Sequence, residues 1–342
     1  MATTFAVPDG RVAMAATTYT GTGATLAVSN AVNTVGMQPD LVWIKSRSNA
    51  YGNYVNDVIR GSTTYLETNT TGAEGTQSNT IISFNSNGFS LGNNLSYNGS
   101  GSTYVGWQWN AGGTTVTNGT GTISSQVRAN TPAGFSVVTY TGTGTNATVG
   151  HGLGVAPSLV ICKTRAASQG WAVYHISSGA TQYLLLNSTI AATTDANAWN
   201  NTAPTSSVFS VSIGSGTGGL TSAYVAYCWA PVAGYSAFGS YTGNGSADGP
   251  FIYTGFRPRF ILIKVSSTTG NWRILDTARS PSNVESLELY PSLANAESSF
   301  AILDGLSNGF KIRNSDVNYN NSGSTYIYAC FAENPLRYAN AR

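Results

Sequence analysis

The chain has 342 residues, a net charge of +2, and only 9% charged residues. Disordered tails are highly charged and poor in aromatic residues, whereas 11% of this chain is Phe, Trp or Tyr, so disorder is excluded. Glu, Lys, Arg and Leu are scarce, while β-branched and aromatic residues abound. This composition predicts an all-β fold.

Several functional classes are disfavoured at the same level. No run of basic residues provides the charged footprint of a nucleic-acid-binding protein. No apolar stretch approaches the roughly 18 residues of a membrane-spanning helix, and the first residues lack the pattern of a secretion signal. The three cysteines have no metal-ligand spacing, so we expect buried thiols in a protein made in a reducing cytoplasm: Cys162, Cys228 and Cys330.

One unit occurs three times along the chain. Each copy opens on Tyr-Thr-Gly-x-Gly, continues through Gly-x-x-Pro into an apolar run that ends in lysine, and closes on an aromatic strand. The opening tyrosines are Tyr19, Tyr140 and Tyr241, the lysines are Lys45, Lys163 and Lys264, and the closing tyrosines are Tyr104, Tyr224 and Tyr326. The opening and closing tyrosines are 85, 84 and 85 residues apart. This regularity indicates three homologous units.

Each unit has room for several short strands, which predicts three tandem β-sandwich domains of jelly-roll-like form. Trp43, Ile161 and Leu262 are expected in the cores together with the closing tyrosines. The predicted organisation is an N-terminal arm (1–16), a first repeat (17–113), a flexible Thr/Gly/Ser-rich linker (114–135), a second repeat (136–234), and a third repeat (235–338) with a short tail to residue 342.

An acidic and a basic residue recur in register after two of the lysines. The pairs are Asp57 with Arg60 and Asp276 with Arg279, and the second repeat has His175 and Ser178 at these positions. We expect each pair to form a local, bidentate structural ion pair, with an anion-binding site as the alternative. The three lysines are expected to extend their charged ends to solvent.

Groups suited to catalysis are few. His151 and His175 have no histidine counterparts in the other repeats, and no nucleophile-elbow motif precedes a helix. The acids nearest to each other, Glu285 and Glu288, lack paired counterparts, so we interpret them as solvated charges rather than as a glycosidase pair. The sequence therefore predicts no catalytic, cofactor-binding or metal-binding residue.

Three aromatic residues lie in loops that are rich in Asn and Ser: Tyr97, Trp199 and Tyr319. Rings beside amides and hydroxyls are typical of sugar-binding surfaces, and the same residues also serve protein–protein contacts or pack a loop. These three loops are the candidate outward contacts.

Three motifs taken together resemble a repeat family that is common in virion proteins of tailed bacteriophages. They are Pro-Asp-Leu-Val-Trp-Ile-Lys-Ser-Arg-Ser from Pro39, Asn-Ala-Thr-Val-Gly-His-Gly-Leu-Gly-Val-Ala-Pro-Ser from Asn146, and Tyr-Ala-Cys-Phe-Ala-Glu-Asn-Pro-Leu from Tyr328. The resemblance covers about residues 17–338. It implies a structural protein of the virion surface, made in the bacterial cytoplasm and without catalytic residues.

The resemblance leaves the place on the particle open. A tail fibre or tail-associated protein for host attachment is the first expectation, and a capsid decoration or head-fibre protein is the alternative. A tail protein that binds or depolymerises polysaccharide is the third interpretation. The expected partners are other virion proteins, further copies of the chain and a host surface glycan, with no nucleic acid, no membrane insertion and no cofactor.

Overall fold

The computed structural model describes residues 6–214 and 216–332, and these residues are nearly all in β-strands, short turns and loops. The predicted all-β fold is confirmed. None of the helices in the described residues exceeds one short turn, so none of them is long enough to cross a lipid bilayer.

The first repeat consists of two antiparallel sheets that pack face to face. Its elements are β1 (Met14–Thr20), β2 (Leu26–Ser29), β3 (Leu41–Ser46), β4 (Asn53–Asp57), β5 (Thr64–Glu67), β6 (Gly75–Thr76), β7 (Ile81–Asn85), β8 (Gly88–Leu91), α1 (Leu95–Asn98) and β9 (Thr103–Trp109). The large sheet has the order β1-β9-β3-β4-β5-β6 and the small sheet the order β2-β8-β7. Ile44 and Tyr104 of the large sheet pack against Phe89 of the small one.

The segment that was predicted to be a flexible linker, 114–135, forms two strands instead. They are β10 (Val116–Asn118) and β11 (Ser125–Asn130). β11 pairs along its whole length with the opening strand of the second repeat. The linker prediction is wrong because Ile123 and Val127 are buried in the second repeat, and Ser and Thr are well accepted in a strand at the surface of a sheet.

The second repeat has the same architecture with a smaller second sheet. Its elements are β12 (Phe135–Thr141), β13 (Ala147–Gly150), β14 (Leu159–Thr164), β15 (Ala172–His175), β16 (Gln182–Leu185), β17 (Thr193–Thr194), α2 (Ala196–Trp199), β18 (Val208–Val211) and β19 (Ala223–Trp229). The large sheet has the order β10-β11-β12-β19-β14-β15-β16-β17, and β13 pairs with β18 in the small sheet.

The third repeat consists of two four-stranded sheets. Its elements are β20 (Ser236–Thr242), β21 (Phe251–Tyr253), β22 (Pro258–Val265), β23 (Arg273–Asp276), β24 (Glu285–Glu288), β25 (Ser298–Leu306), β26 (Gly309–Ile312), α3 (Val317–Asn320) and β27 (Thr325–Ala332). The sheet orders are β20-β27-β22-β23 and β21-β26-β25-β24. The tail predicted after residue 338 lies outside the described residues.

The three large sheets share one register. In each of them the opening tyrosine is paired with the closing tyrosine and the two rings are stacked: Tyr19 with Tyr104 at 5.2 Å, Tyr140 with Tyr224 at 5.2 Å, and Tyr241 with Tyr326 at 4.9 Å between centroids. Trp43, Ile161 and Leu262 are buried at equivalent positions, as expected. The repeats read from the sequence are therefore structural repeats.

The first and second repeats each have a core between their two sheets, but all three repeats also share a further core. The faces of the large sheets that point away from the small sheets meet in one hydrophobic cluster, which continues into the third repeat. At its centre Trp109 of the first repeat contacts Trp229 of the second at 5.8 Å and Phe260 and Phe331 of the third at 5.4 and 5.6 Å. The predicted separation into three tandem domains is thus not confirmed, because the repeats pack around a common core.

Part of the predicted N-terminal arm, residues 1–16, belongs to the large sheet of the first repeat. Residues 14–16 belong to β1 and pair with Trp107–Trp109 of β9. A single 3-10 turn at Gly10–Val12 precedes the strand, with Asp9 accepting the Arg11 N–H at its start.

Candidate functional site

The Asp57–Arg60 pair is present and lies at the end of β4. Arg60 Nε is 2.5 Å from Asp57 Oδ2, and the Arg60 backbone N–H donates to Oδ1 at 2.9 Å. Both side chains are completely buried. The carboxylate therefore holds one guanidinium nitrogen and the backbone of the same turn, rather than the predicted bidentate fork.

The Asp276–Arg279 pair at the end of β23 has the same geometry. Arg279 Nε is 2.6 Å from Asp276 Oδ2, and the Arg279 backbone N–H donates to Oδ1 at 2.9 Å. In addition, Arg279 Nη1 donates to Glu297 at 2.9 Å. Both predicted pairs are confirmed as contacts.

Each pair also contacts the closing strand of another repeat. Tyr227 of the second repeat donates its hydroxyl to Asp57 Oδ2 at 2.8 Å and accepts from Arg60 Nη2 at 3.1 Å. Trp107 of the first repeat donates its indole N–H to Asp276 Oδ2 at 2.9 Å. The pairs are thus inter-repeat junctions.

The second repeat has no acid–arginine pair at the equivalent position. His175 takes the position of the aspartate, and its Nδ1 accepts the Ser177 N–H at 3.2 Å. Its Nε2, 3.0 Å from the Tyr328 carbonyl of the third repeat, therefore carries the proton and donates it. Ala329 stands where the other closing strands have Trp107 and Tyr227. Burial lowers the pKa of His175 to about 4, although its bond to Tyr328 opposes the shift.

The three repeat lysines are buried at these junctions, so the prediction that their charged ends reach solvent is wrong. Each ammonium group donates to a backbone carbonyl of a different repeat: Lys45 to Ala294 at 2.9 Å, Lys163 to Thr71 at 3.1 Å, and Lys264 to Thr189 at 3.3 Å. Burial lowers the pKa of each to about 8. The presence of the lysine in all three copies was the signal for this role.

A loop bond completes each junction. The backbone N–H groups of Glu74, Ala192 and Glu297 donate at 2.8 Å to the carbonyls of Arg165, Ser266 and Arg47, respectively. Two of the bonds are reinforced by ion pairs at 2.8 Å, between Glu74 and Arg165 and between Glu297 and Arg47. The first repeat thus contacts the second, the second the third, and the third the first. The equivalent contacts close a ring.

The three candidate outward aromatic residues point inward. Tyr97, Trp199 and Tyr319 are 1%, 2% and 0% exposed and lie in the short helices α1, α2 and α3. The interpretation of these side chains as exposed contacts is therefore wrong. Each helix packs against a strand of the large sheet in its own repeat. Tyr97 and Tyr319 donate their hydroxyls to buried acceptors, Asn56 Oδ1 and Glu288 Oε2.

The interpretation of Glu285 and Glu288 as solvated charges is also wrong, because both are buried. Glu288 accepts hydrogen bonds from Tyr290, Tyr319 and Ser298 and lies 3.4 Å from Arg273 Nε. This carboxylate is enclosed by its own repeat and ties α3 to β24.

The remaining titratable candidates are buried as well. His151 is buried, with Nδ1 accepting from Leu153 N–H at 3.2 Å. All three cysteines are buried and unbridged, as expected, and burial raises the pKa of Cys162 to about 12. Among the residues that the structure describes, no three His, Cys, Asp or Glu side chains come together as metal ligands.

A family model described as a domain of unknown function (DUF7483) matches residues 12–335. No curated protein and no solved structure matches the chain. The matched range includes all three repeats and nearly the whole sequence. The chain therefore belongs to the DUF7483 family.

Proposed function

We propose that the chain is a non-enzymatic structural protein of a tailed bacteriophage, displayed on the virion surface as a tail fibre or tail-associated protein that contributes to host attachment. The family resemblance of its repeat motifs supports the class of protein. The observation that carries the proposal is the use of its buried acids and histidine: Asp57, Asp276 and His175 bind the repeats to one another. Because these side chains hold the repeats together, we infer that the chain is built as a rigid module.

The surface composition supports an assembly role. Few charges and abundant Thr, Ser, Asn and Gly leave a neutral surface of hydroxyls and amides, which suits polar contacts with other proteins or with a glycan. The partners in this proposal are other virion proteins and further copies of the chain. A host glycan remains a proposed partner, but Tyr97, Trp199 and Tyr319 are not part of the proposed contact surface because their side chains are buried.

A capsid decoration or head-fibre role is the second candidate. The ring of three equivalent junctions favours it, since a chain with three similar faces matches a site of threefold symmetry on a capsid. The third interpretation, a polysaccharide depolymerase, loses its candidate acid pair because Glu288 is enclosed.

Immunogold labelling of purified particles tests the proposal. Antibodies against the chain are expected to label the outside of intact virions from the phage that encodes it. Gold on the tail supports the first candidate and gold on the head the second. Absence of the chain from purified particles, or release of reducing ends from host polysaccharide by the purified protein, would overturn the proposal.

A further inference from the structure

One position of the large sheets carries a different side chain in each repeat. It lies three residues before the aspartate or histidine of each junction, and its residues are Tyr54, Ala172 and Arg273. In the first repeat the Tyr54 ring packs on two other rings, 5.6 Å from Tyr65 and 4.8 Å from Tyr97 between centroids. Aromatic side chains thus fill the place beside this strand.

A cation fills the same place in the third repeat. The guanidinium carbon of Arg273 lies 4.5 Å from the centroid of the Tyr290 ring and 5.7 Å from that of Tyr319. Its Nε is 3.4 Å from Glu288 Oε2. A guanidinium group over tyrosine rings and beside a carboxylate is attracted by both. This setting therefore suits an arginine side chain.

The second repeat has small side chains at two of these positions. Ala172 is the first of them. The second is Thr217, whose carbonyl accepts the hydroxyl of the opening tyrosine, Tyr140. In the other two repeats that carbonyl belongs to Tyr97 or Tyr319. The second repeat therefore has neither the planar side chain nor the tyrosine ring that pack together in the other two.

Ala172 and Thr217 instead line a pocket of about 200 Å³. Tyr183, which stands at the position of Tyr65 in the first repeat, contributes its ring to the wall. Pockets for drug-sized ligands measure roughly 300–1,000 Å³, so this one has the size for a single side chain.

The charge of the pocket favours a cation. Among the described residues that line it, Asp195 alone is charged. This half-buried carboxylate accepts the Asn197 N–H at 2.9 Å and forms no ion pair within the part of the chain that the structure describes. A carboxylate and a tyrosine ring at one pocket reproduce the surroundings of Arg273 in the third repeat.

We propose that this pocket binds the guanidinium group of an arginine side chain from a partner protein, which packs on Tyr183 and pairs with Asp195. The partner thereby supplies the planar side chain that Tyr54 and Arg273 supply in the other repeats. This inference goes beyond the proposed function, since it names the chemistry of a partner residue and holds wherever the protein is located.

Two capped peptides test the inference by titration into the full chain. One is Gly-Ser-Arg-Ser-Gly, and the other has citrulline, which has the shape of arginine without its charge, at the central position. The amide NMR signals of Gly170 and Gly216, which line the pocket, report binding. We expect the arginine peptide to shift these signals and to bind about tenfold more tightly than the citrulline peptide.

A conservative variant separates the charge from the fold. Asp195→Asn keeps a side chain that caps α2 and removes the negative charge. It should weaken binding of the arginine peptide about tenfold and leave the citrulline peptide unaffected. Asp316→Asn, the same change at the cap of α3, is the matched control and should alter neither affinity.

Three results would overturn the proposal: equal binding of the two peptides, no shift at Gly170 and Gly216, or an unchanged affinity of Asp195→Asn. Ethylguanidinium should bind more weakly than the arginine peptide, and equal affinity would assign the pocket to a free guanidinium compound instead of a protein partner. Virion labelling does not enter this test, so the two proposals can fail separately.

Discussion

The junction between the first and second repeats and the junction between the second and third share a backbone frame but differ in their side chains. In the first, Asp57 and Arg60 form a buried charged pair that Tyr227 caps. In the second, neutral His175 donates to a backbone carbonyl, and alanine replaces the capping side chain. A buried charge requires a complete set of partners, so the pair and its cap are present together or absent together.

Removal of one charge should break the first junction most severely. Asp57→Ala leaves the buried Arg60 guanidinium with only Glu74, at 3.7 Å, as a counter-ion, and we expect a loss of about 3–5 kcal/mol in the free energy of unfolding. Urea denaturation measures the loss. Asp9→Ala, which removes a partly exposed partner of Arg11, is the control and should change stability little. Equal effects of the two substitutions would contradict the assignment of Asp57.

Exchange of one junction type for the other tests whether the two sites are structurally equivalent. His175→Asp places a carboxylate in a buried site that lacks its cation, and about 3–5 kcal/mol should again be lost. Adding Ser178→Arg rebuilds the pair of the other repeats and should restore more than half of that loss in the same urea experiment. A double variant no more stable than the single one would show that the two junctions are not equivalent.

The junction that contains His175 should be the acid-sensitive one. An unfolded histidine has a pKa near 6.5, whereas burial lowers the pKa of His175 to about 4. As the pH falls between these values the unfolded chain takes up a proton that the folded chain does not. The free energy of unfolding should therefore fall, by an amount on the order of 3 kcal/mol.

His175→Gln, whose amide can donate to the same carbonyl, should remove this dependence. Asp40, whose pKa burial raises to about 6, has the opposite trend in both proteins and cancels in their difference. A difference between the two proteins that does not vary with pH would rule out a buried neutral histidine.

The cap of the charged junction should have the smallest effect. Tyr227→Phe removes the hydroxyl that donates to Asp57, and we expect a loss of about 1–3 kcal/mol. Tyr253→Phe, at a largely exposed ring, is the matched control and should be neutral. Thermal melts of both variants measure the difference, and an unaffected Tyr227→Phe protein would count against the cap.

Local patterns in the sequence predicted the repeats and the two ion pairs, because Asp57 and Arg60 lie only three residues apart. The same patterns could not indicate that Tyr227, 170 residues away, completes the pair. The prediction that the three loop aromatic residues are exposed was wrong for a related reason. Asn and Ser around Tyr97 are typical of an exposed loop, but Asn94 caps α1 and Asn98 donates to backbone carbonyls of neighbouring loops.

The lysines illustrate the same limit. A lysine at the end of an apolar strand usually extends to solvent. Burial of Lys163 is tolerable because its ammonium group donates to the Thr71 carbonyl of the first repeat and to the Ala167 carbonyl of its own. The prediction of a flexible linker rested on the abundance of Thr, Gly and Ser in residues 114–135, which describes only the surface of this segment. The buried side chain of Val127 determines the position of the segment in the sheet.

The packing of the three repeats around a common core implies that they unfold as one cooperative unit. Differential scanning calorimetry of the whole chain measures this cooperativity. We expect a single transition whose calorimetric and van't Hoff enthalpies agree. Two or three resolved transitions, or a calorimetric enthalpy several times the van't Hoff value, would instead mean that the repeats unfold as independent domains.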